Sequence, residues 1–182
     1  AELDPKAFPM NDIPPAVRLP EYHTVGGKMY AVPEKFGYNA IAYDKTKVTA
    51  AQAKDINYLF GAGAKNKIGI YDYYLPVIGQ VAVALGKKPQ DLKESDLPAI
   101  RAKLVEMRGN ARMVGDVVTT QTALATGQIG LLVGGGEYTV AGLMADKPNL
   151  DWVLPDVGGI RWQQAIGVMA DSKKKAAATQ FV

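Results

Sequence analysis

Thr126-Gly127-Gln128-Ile129-Gly130-Leu131-Leu132-Val133-Gly134-Gly135-Gly136-Glu137 is the stretch that decides the fold. Ile129 to Val133 is apolar at every position except for one glycine. It is too short for a helix and has no polar face, so it reads as a strand covered on both sides, as a central parallel strand is. Three glycines then allow a tight turn, and a helix follows from about Glu137 to Ala145. Working back along the chain, Thr119 or Thr120 opens a short helix ending at Gly127, and Arg112-Met113-Val114 is a brief strand. Ser95 caps a longer helix with Leu97, Ile100, Leu104 and Met107 at helical spacing. Lys67 to Tyr71 is another strand. Asp72 sits at the N-cap position of the helix after it, which takes Pro76 into its first turn and stops at Gly86.

Further out the same alternation continues. Thr49 and Gln52 form a capping box, with Ile56, Leu59 and Phe60 on one side of the helix it starts. Met29 to Val32 and Ala40 to Tyr43 are strand-like, interrupted by Pro33 and Gly37, while residues 1–28 are irregular, with four prolines by position 15. Leu150 to Leu154 is a strand, Arg161 to Met169 is extended, and Ser172 caps a last helix. Strands separated by helices predict an α/β sheet with crossover connections.

Composition narrows the function. The chain has 182 residues, 48% apolar and 21% charged, which is globular and long enough to stabilise a core by burial. It has no cysteine, which excludes disulfides, thiolate metal sites and a thiol nucleophile. One histidine, His23, leaves almost no material for a multi-histidine metal site or a Ser-His-Asp triad. It lies in the polar stretch Glu21-Tyr22-His23-Thr24 and reads as a surface or loop residue. The net charge of +3 is spread along the chain and does not indicate nucleic acid. No apolar run is long enough to span a membrane. No P-loop, GxSxG or HExxH motif occurs. Gly134-Gly135-Gly136 has the strand-to-helix context of a dinucleotide loop, but Thr139 stands where its last glycine belongs. No catalytic set, metal or cofactor is expected, so binding is favoured over turnover.

What remains is a polar and aromatic set at the carboxyl ends of strands, the edge where open α/β sheets take ligands. Tyr71, Asp72, Tyr73 and Tyr74 follow one strand and Gly115-Asp116 another; Gly135, Gly136, Glu137 and Tyr138 follow a third. Each has a plainer reading beside the functional one. Asp72 and Asp116 cap helices, Tyr71 and Tyr74 pack, and the glycines permit a turn.

The order of elements resembles the periplasmic solute-binding proteins of ABC importers, in the spermidine/putrescine-binding class with the two-lobed type II fold. The matching stretches are Gly26 to Pro33 with Gly37 to Asp44, Lys67 to Asp72, Thr126 to Gly134, and Leu154 to Trp162. The resemblance implies an α/β, type II periplasmic-binding-protein-like fold, its mixed sheet flanked by helices, with one nearly complete lobe and pieces of the second. Residues 1–38 are then a partial segment of lobe 1 leading to the hinge. Residues 39–161 form lobe 2, and residues 162–182 return into lobe 1. The chain is expected to be incomplete, because it starts at Ala1 without a leader and ends in a helix with no stop signal.

The function implied is capture of a small polar solute (polyamine-like, amino-acid-like or an organic ion) between two lobes. The solute then passes to an inner-membrane ABC permease, and the protein works in the periplasm as a monomer without nucleic acid. Tyr38, Asn39, Asp72, Tyr73, Asp116, Gly136, Glu137, Trp162 and Gln164 are the implied ligand-binding residues. Trp162 serves as an aromatic platform or as hinge packing. The polyamine binders carry carboxylates at the positions of Tyr73 and Pro76, and another where this chain has Gln164, so charges that hold ammonium groups in that class are replaced here. Two other readings stand beside this one: the effector lobe of a transcription regulator, and an α/β enzyme using Asp72 or Glu137.

Overall fold

The computed structural model describes residues 1–182. The chain divides into two units, one of Ala1–Gly37 with Arg161–Val182 and the other of Tyr38–Ile160. In the first, short 3-10 turns lead to a hairpin of β1 (Thr24–Val25) and β2 (Lys28–Met29). Its turn is Gly26-Gly27, with φ of +58° and +78°, the left-handed pair that a two-residue hairpin requires. From the sequence pattern alone residues 1–28 are irregular, so this hairpin is a feature the fold adds. β3 (Ala31–Asn39) follows and runs unbroken through Pro33 and Gly37, where interruptions were expected. β3 has a single neighbour in a two-stranded sheet, so one of its edges needs no donors and a proline is tolerated.

The larger unit is built on five strands. β4 (Ile41–Asp44) is followed by α1 (Ala50–Lys54), and the Thr49/Gln52 capping box is formed with both reciprocal bonds. The helix is shorter than expected. Asp55 turns the chain and caps a separate 3-10 helix, Ile56–Phe60, which is the element that buries Ile56 and Leu59. Next come β5 (Ile68–Tyr71), α2 (Tyr74–Ala84), α3 (Leu97–Asn110), β6 (Ala111–Gly115), α4 (Val117–Ala125), β7 (Leu131–Val133), α5 (Glu137–Val140) and β8 (Leu150–Val153). Three helix starts move. Asp72 is exposed and Tyr73 holds the N-cap of α2. Asp96 rather than Ser95 precedes α3. Asp116, not a threonine, caps α4 through a bond from the Thr119 N–H. A carboxylate accepts that donor more strongly than a hydroxyl does.

The strand order is β6-β5-β7-β4-β8. β5 pairs in parallel with β6 and β7, while β4 runs antiparallel to β7 and β8. β7 is therefore central, but parallel on one side only. Its apolar run follows from cover on both faces. Leu131 and Val133 join Ile41, Tyr43, Ile68 and Ile70 under α2 and α3. Leu132 faces the other way, with Ala42, Ile129, Leu124 and Val140. The alternation of β4 and β7 between two cores is the two-residue period of a strand. Each fully buried aliphatic side chain contributes about 1.5–3 kcal/mol.

β9 (Ile160–Gly167) pairs with β3, and α6 (Lys175–Phe181) ends the smaller unit. Lys174 rather than Ser172 holds the N-cap position of α6. Ala178 and Val182 pack on the core of Leu3, Met29, Val32 and Val168, while Phe181 is exposed. His23 is not a surface residue: it is buried at 7% exposure, its Nδ1 without a hydrogen-bond partner.

Asp44 closes β4. It is 3% exposed and accepts from the Thr46 N–H (2.9 Å), the Thr46 hydroxyl (2.7 Å) and Asn149 Nδ2 (3.1 Å). Burial pushes its carboxyl up, but the bonds from Thr46 and Asn149 outweigh burial and hold it below the usual carboxylate range. A lowered folded-state pKa gives stability that is present above the unfolded pKa of about 3.9 and lost as pH falls through the folded value. Asp44→Ala is expected to cost about 2 kcal/mol at pH 7. In urea denaturation, the gap between parent and variant should shrink as pH falls below about 4.

Candidate functional site

The parallel strands β5, β6 and β7 end on one edge of the sheet, with Tyr71 paired to Gly115 and Ile70 to Val133. β4 is antiparallel to β7, so the chain enters β4 at this same edge, through Tyr38 and Asn39. The edge is held by a buried amide network. Gln80, from the middle of α2, donates through Nε2 to the carbonyls of Asn39 (3.1 Å) and Ala40 (3.3 Å). Its Oε1 accepts the Gly134 N–H at 2.9 Å. Asn39 Nδ2 in turn donates to the carbonyls of Gly134 (3.1 Å) and Gly135 (2.9 Å). Two side-chain amides thus satisfy the backbone of a turn that has no ladder partner of its own.

The glycine triplet is required at two points. Gly134 has φ of +89° and Gly136 φ of +108°. A Cβ on Gly136 would stand 2.4 Å from the Tyr38 carbonyl oxygen and 2.6 Å from the Ala40 nitrogen. Backbone cannot yield as a side-chain tip can, so this position excludes every other residue. The approach brings Glu137 to the end of β3, where its Oε1 accepts the Tyr38 N–H at 3.0 Å. Glu137 Oε2 is buried and accepts no bond.

Tyr38, Asn39, Asp72, Tyr73, Asp116, Gly136 and Glu137 therefore share the edge, and the structure gives them different work. Asn39 is buried and its amide group is committed to the turn. Gly136 makes the close approach. Asp116 is exposed yet engaged by the Thr119 N–H and side chain, which hold its carboxyl below the usual range. Asp72 is exposed, and only its backbone N–H is engaged, by the Gly115 carbonyl. Tyr73 packs edge-on between Tyr71 (centroids 6.1 Å apart) and Tyr74 (5.9 Å). Tyr138 extends the aromatic set, and burial raises its phenol pKa, with Tyr71 and Glu137 adding to the effect. Trp162, half-buried, and Gln164, exposed, lie on β9 in the smaller unit. Gln80 was not anticipated. Its signal was present as the single polar residue in the run from Leu75 to Ala84.

The chain matches the family of bacterial extracellular solute-binding proteins over residues 2–182. It belongs to that family. No curated protein sequence matches it. Among solved structures, the chain aligns over 100% of its length with a spermidine/putrescine ABC transporter substrate-binding protein from Streptococcus pneumoniae, at 18% identity and a TM-score of 0.80. A putative spermidine/putrescine ABC transporter from Listeria monocytogenes gives 22% identity and 0.82, also over 100% of this chain. A lipoprotein of Treponema pallidum gives 16% and 0.83 over 99%. These likenesses establish the type II periplasmic-binding-protein fold. The chain spans 55% of the first two structures and 57% of the third. No helix is long and apolar enough to cross a membrane.

Two substitutions test the edge. Gly136→Ala should destabilise the protein by about 3 kcal/mol or more, from backbone strain added to overlap. Gly142→Ala, with nothing within 4 Å and no positive φ, should stay within about 0.5 kcal/mol of the parent. Gln80→Met keeps the volume but strands the Gly134 N–H and should cost about 2 kcal/mol. Thermal and urea unfolding measure all three.

Proposed function

We propose that the protein is the extracytoplasmic solute-binding component of an ABC importer. It takes a small polar solute at the carboxyl edge of the larger unit and delivers it to an inner-membrane permease. The observation that carries this reading is the edge itself. On a solute-binding fold, Tyr73 and Tyr74 are exposed directly after Asp72 in the chain, Tyr138 is exposed at the start of α5 on the same edge, and an amide-braced turn precedes α5. Exposed aromatic and charged groups on a fixed frame suit a ligand that must be bound and released. The two units stand for the two lobes of the family. The protein works in the periplasm as a monomer and turns nothing over.

The nine residues named from the sequence remain the proposed ligand set. Closure over a polar solute removes water from each of its polar groups, so each needs a partner, and a charge-assisted bond contributes about 1.5–3 kcal/mol. An aromatic face over a cation adds about 0.5–2 kcal/mol.

Thermal-shift and calorimetric screening of the natural-length protein against polyamines, amino acids, organic cations and organic anions tests the function. One class should bind with 1:1 stoichiometry, and ligand at a hundred times Kd should stabilise by about 2.7 kcal/mol. If no class shifts the unfolding midpoint, solute capture is wrong. Trp162→Ala should weaken the ligand found by about tenfold, or about 1.4 kcal/mol, and unchanged affinity would remove Trp162 from the set.

A further inference from the structure

The two edges of the five-stranded sheet differ in charge. Asp72, Asp116 and Glu137 stand at the carboxyl edge, where the segments 71–74, 115–116 and 134–138 hold no lysine or arginine. At the opposite, amino edge β5, β6, β7 and β8 begin and β4 ends. The segments there, 45–47, 61–67, 110–112, 126–130 and 146–149, hold Lys45, Lys47, Lys65, Lys67, Arg112 and Lys147 against one carboxylate, Asp146. The whole chain has a net charge of +3, so this concentration of positive charge is local.

These cations are not spent inside the fold. Lys67 is half-buried and the other five are exposed. The ion pairs Lys28–Glu2, Lys35–Glu34, Lys87–Asp96 and Lys103–Glu106 lie elsewhere, and none of the six has an acidic partner. Lys47 donates to the Gly127 carbonyl and Lys67 to the Tyr58 hydroxyl (3.3 Å), neutral acceptors that leave the positive charge in place. The adjoining Asp44 carboxylate is buried and already accepts from Thr46 and Asn149. Like charges on neighbouring strand ends repel, and a bound polyanion relieves that repulsion.

Backbone bonds fasten the segments side by side. The Lys45 N–H reaches the Asn149 carbonyl (2.8 Å) and the Asp44 N–H the Gly130 carbonyl (3.0 Å). The Gly130 N–H reaches the Lys67 carbonyl (2.7 Å) and the Asn66 N–H the Asn110 carbonyl (2.8 Å). A Cβ on Gly130 would stand 3.2 Å from the Lys47 Cβ and 3.7 Å from the Lys67 Cβ, so these two stems flank the glycine at the middle of the edge. β6 and β8 are the outer strands, four strand spacings apart. At about 4.8 Å each, the charges are spread along a line of roughly 19 Å.

A fixed line of that length is too long for one small anion and suits an extended anionic surface. None of the five segments contains an aromatic residue, so nucleic-acid bases have no platform to stack on. Ile129 is their one large apolar side chain and it is fully buried, so contact stays at the level of charged headgroups. The family is extracellular, where the phospholipid of the cell membrane is such a surface.

We propose that the amino edge of the larger unit is a membrane-docking surface that adsorbs to anionic phospholipid headgroups through charge. The same surface repels the carboxylates of the opposite edge, so the adsorbed unit turns its solute edge away from the bilayer. Docking is separate from solute capture and does not depend on which solute is taken.

Vesicle co-sedimentation of the natural-length protein tests this, with vesicles of equal parts phosphatidylglycerol and phosphatidylcholine set against phosphatidylcholine alone. The protein should pellet with the anionic vesicles at low salt and stay in solution with the neutral ones. Release should follow as ionic strength passes about 0.15 M, where screening acts beyond about 8 Å. Lys45→Gln, Lys65→Gln and Lys147→Gln should each weaken binding about fivefold, and the triple variant about a hundredfold. Lys173→Gln with Lys174→Gln and Lys175→Gln removes the same charge from the smaller unit and should stay within about twofold of the parent. Unfolding curves establish that each variant is folded. Absence of pelleting at low salt would overturn the proposal, as would equal loss in the two triple variants, which means that net charge alone acts. Binding to soluble inorganic polyphosphate with none to anionic vesicles would overturn it too.

Discussion

The amide of Gln80 is the interaction on which the larger unit's edge depends. The turn after β7 and the junction between β3 and β4 both bring unpaired backbone groups into the interior. A buried N–H or carbonyl without a partner costs about 1–3 kcal/mol, and this region has several. One glutamine from α2 reaches both segments, and Asn39 answers from the other side through two further bonds. The four carbonyls and one N–H so engaged let Gly136 stack directly on the backbone of residues 38–40. If the amides are lost, the turn has no internal donor to replace them.

That bracing explains how the carboxylates are divided. Glu137 and Asp116 look alike in sequence, each opening a helix after a strand. Asp116 is a cap in the ordinary sense, accepting from the third residue of its helix. Glu137 instead reaches across to the Tyr38 N–H and pins the end of β3 to the start of α5. Asp72 does neither, because α2 begins after Tyr73 and takes no side-chain cap. The three carboxylates stand at one edge; Asp72 and Asp116 are exposed, and Asp72 is the one whose side chain makes no hydrogen bond. The exposed tyrosines stand next to it in the chain, which makes residues 71–74 the most concentrated recognition element of the unit.

Much of this was legible. The apolar run at Ile129–Val133 announced a segment covered on both faces, of which Leu131–Val133 forms the strand, and the Thr49/Gln52 box announced a helix start, because both signals are local in origin. The strand-end residues were legible for the same reason: a strand's direction decides which of its ends joins the carboxyl edge. Three kinds of error had a physical basis. Helix starts differ by one to three residues from the sequence pattern; at α4 the plainer reading of Asp116 as a cap holds against Thr119 and Thr120, while α2, α3 and α6 begin at residues that make no side-chain cap bond. Pro33 and Gly37 were read as breaks because their effect depends on whether a strand has one neighbour or two. His23 reads as a surface or loop residue and does sit in a turn, but a polar sequence neighbourhood does not reveal that the ring is buried.

The sequence by itself determined the α/β class, the order of elements, the edge at which polar and aromatic residues gather, and the likeness to a solute-binding family. Each of these follows from local propensity, hydrophobic period or motif order along the chain. Only the tertiary structure decided that β4 runs antiparallel into the sheet, that Gln80 is the keystone of the edge, and that Glu137 spends one carboxylate oxygen on Tyr38. Those are contacts between residues 40 to 100 positions apart, and no local pattern specifies which distant backbone group a buried side chain will find.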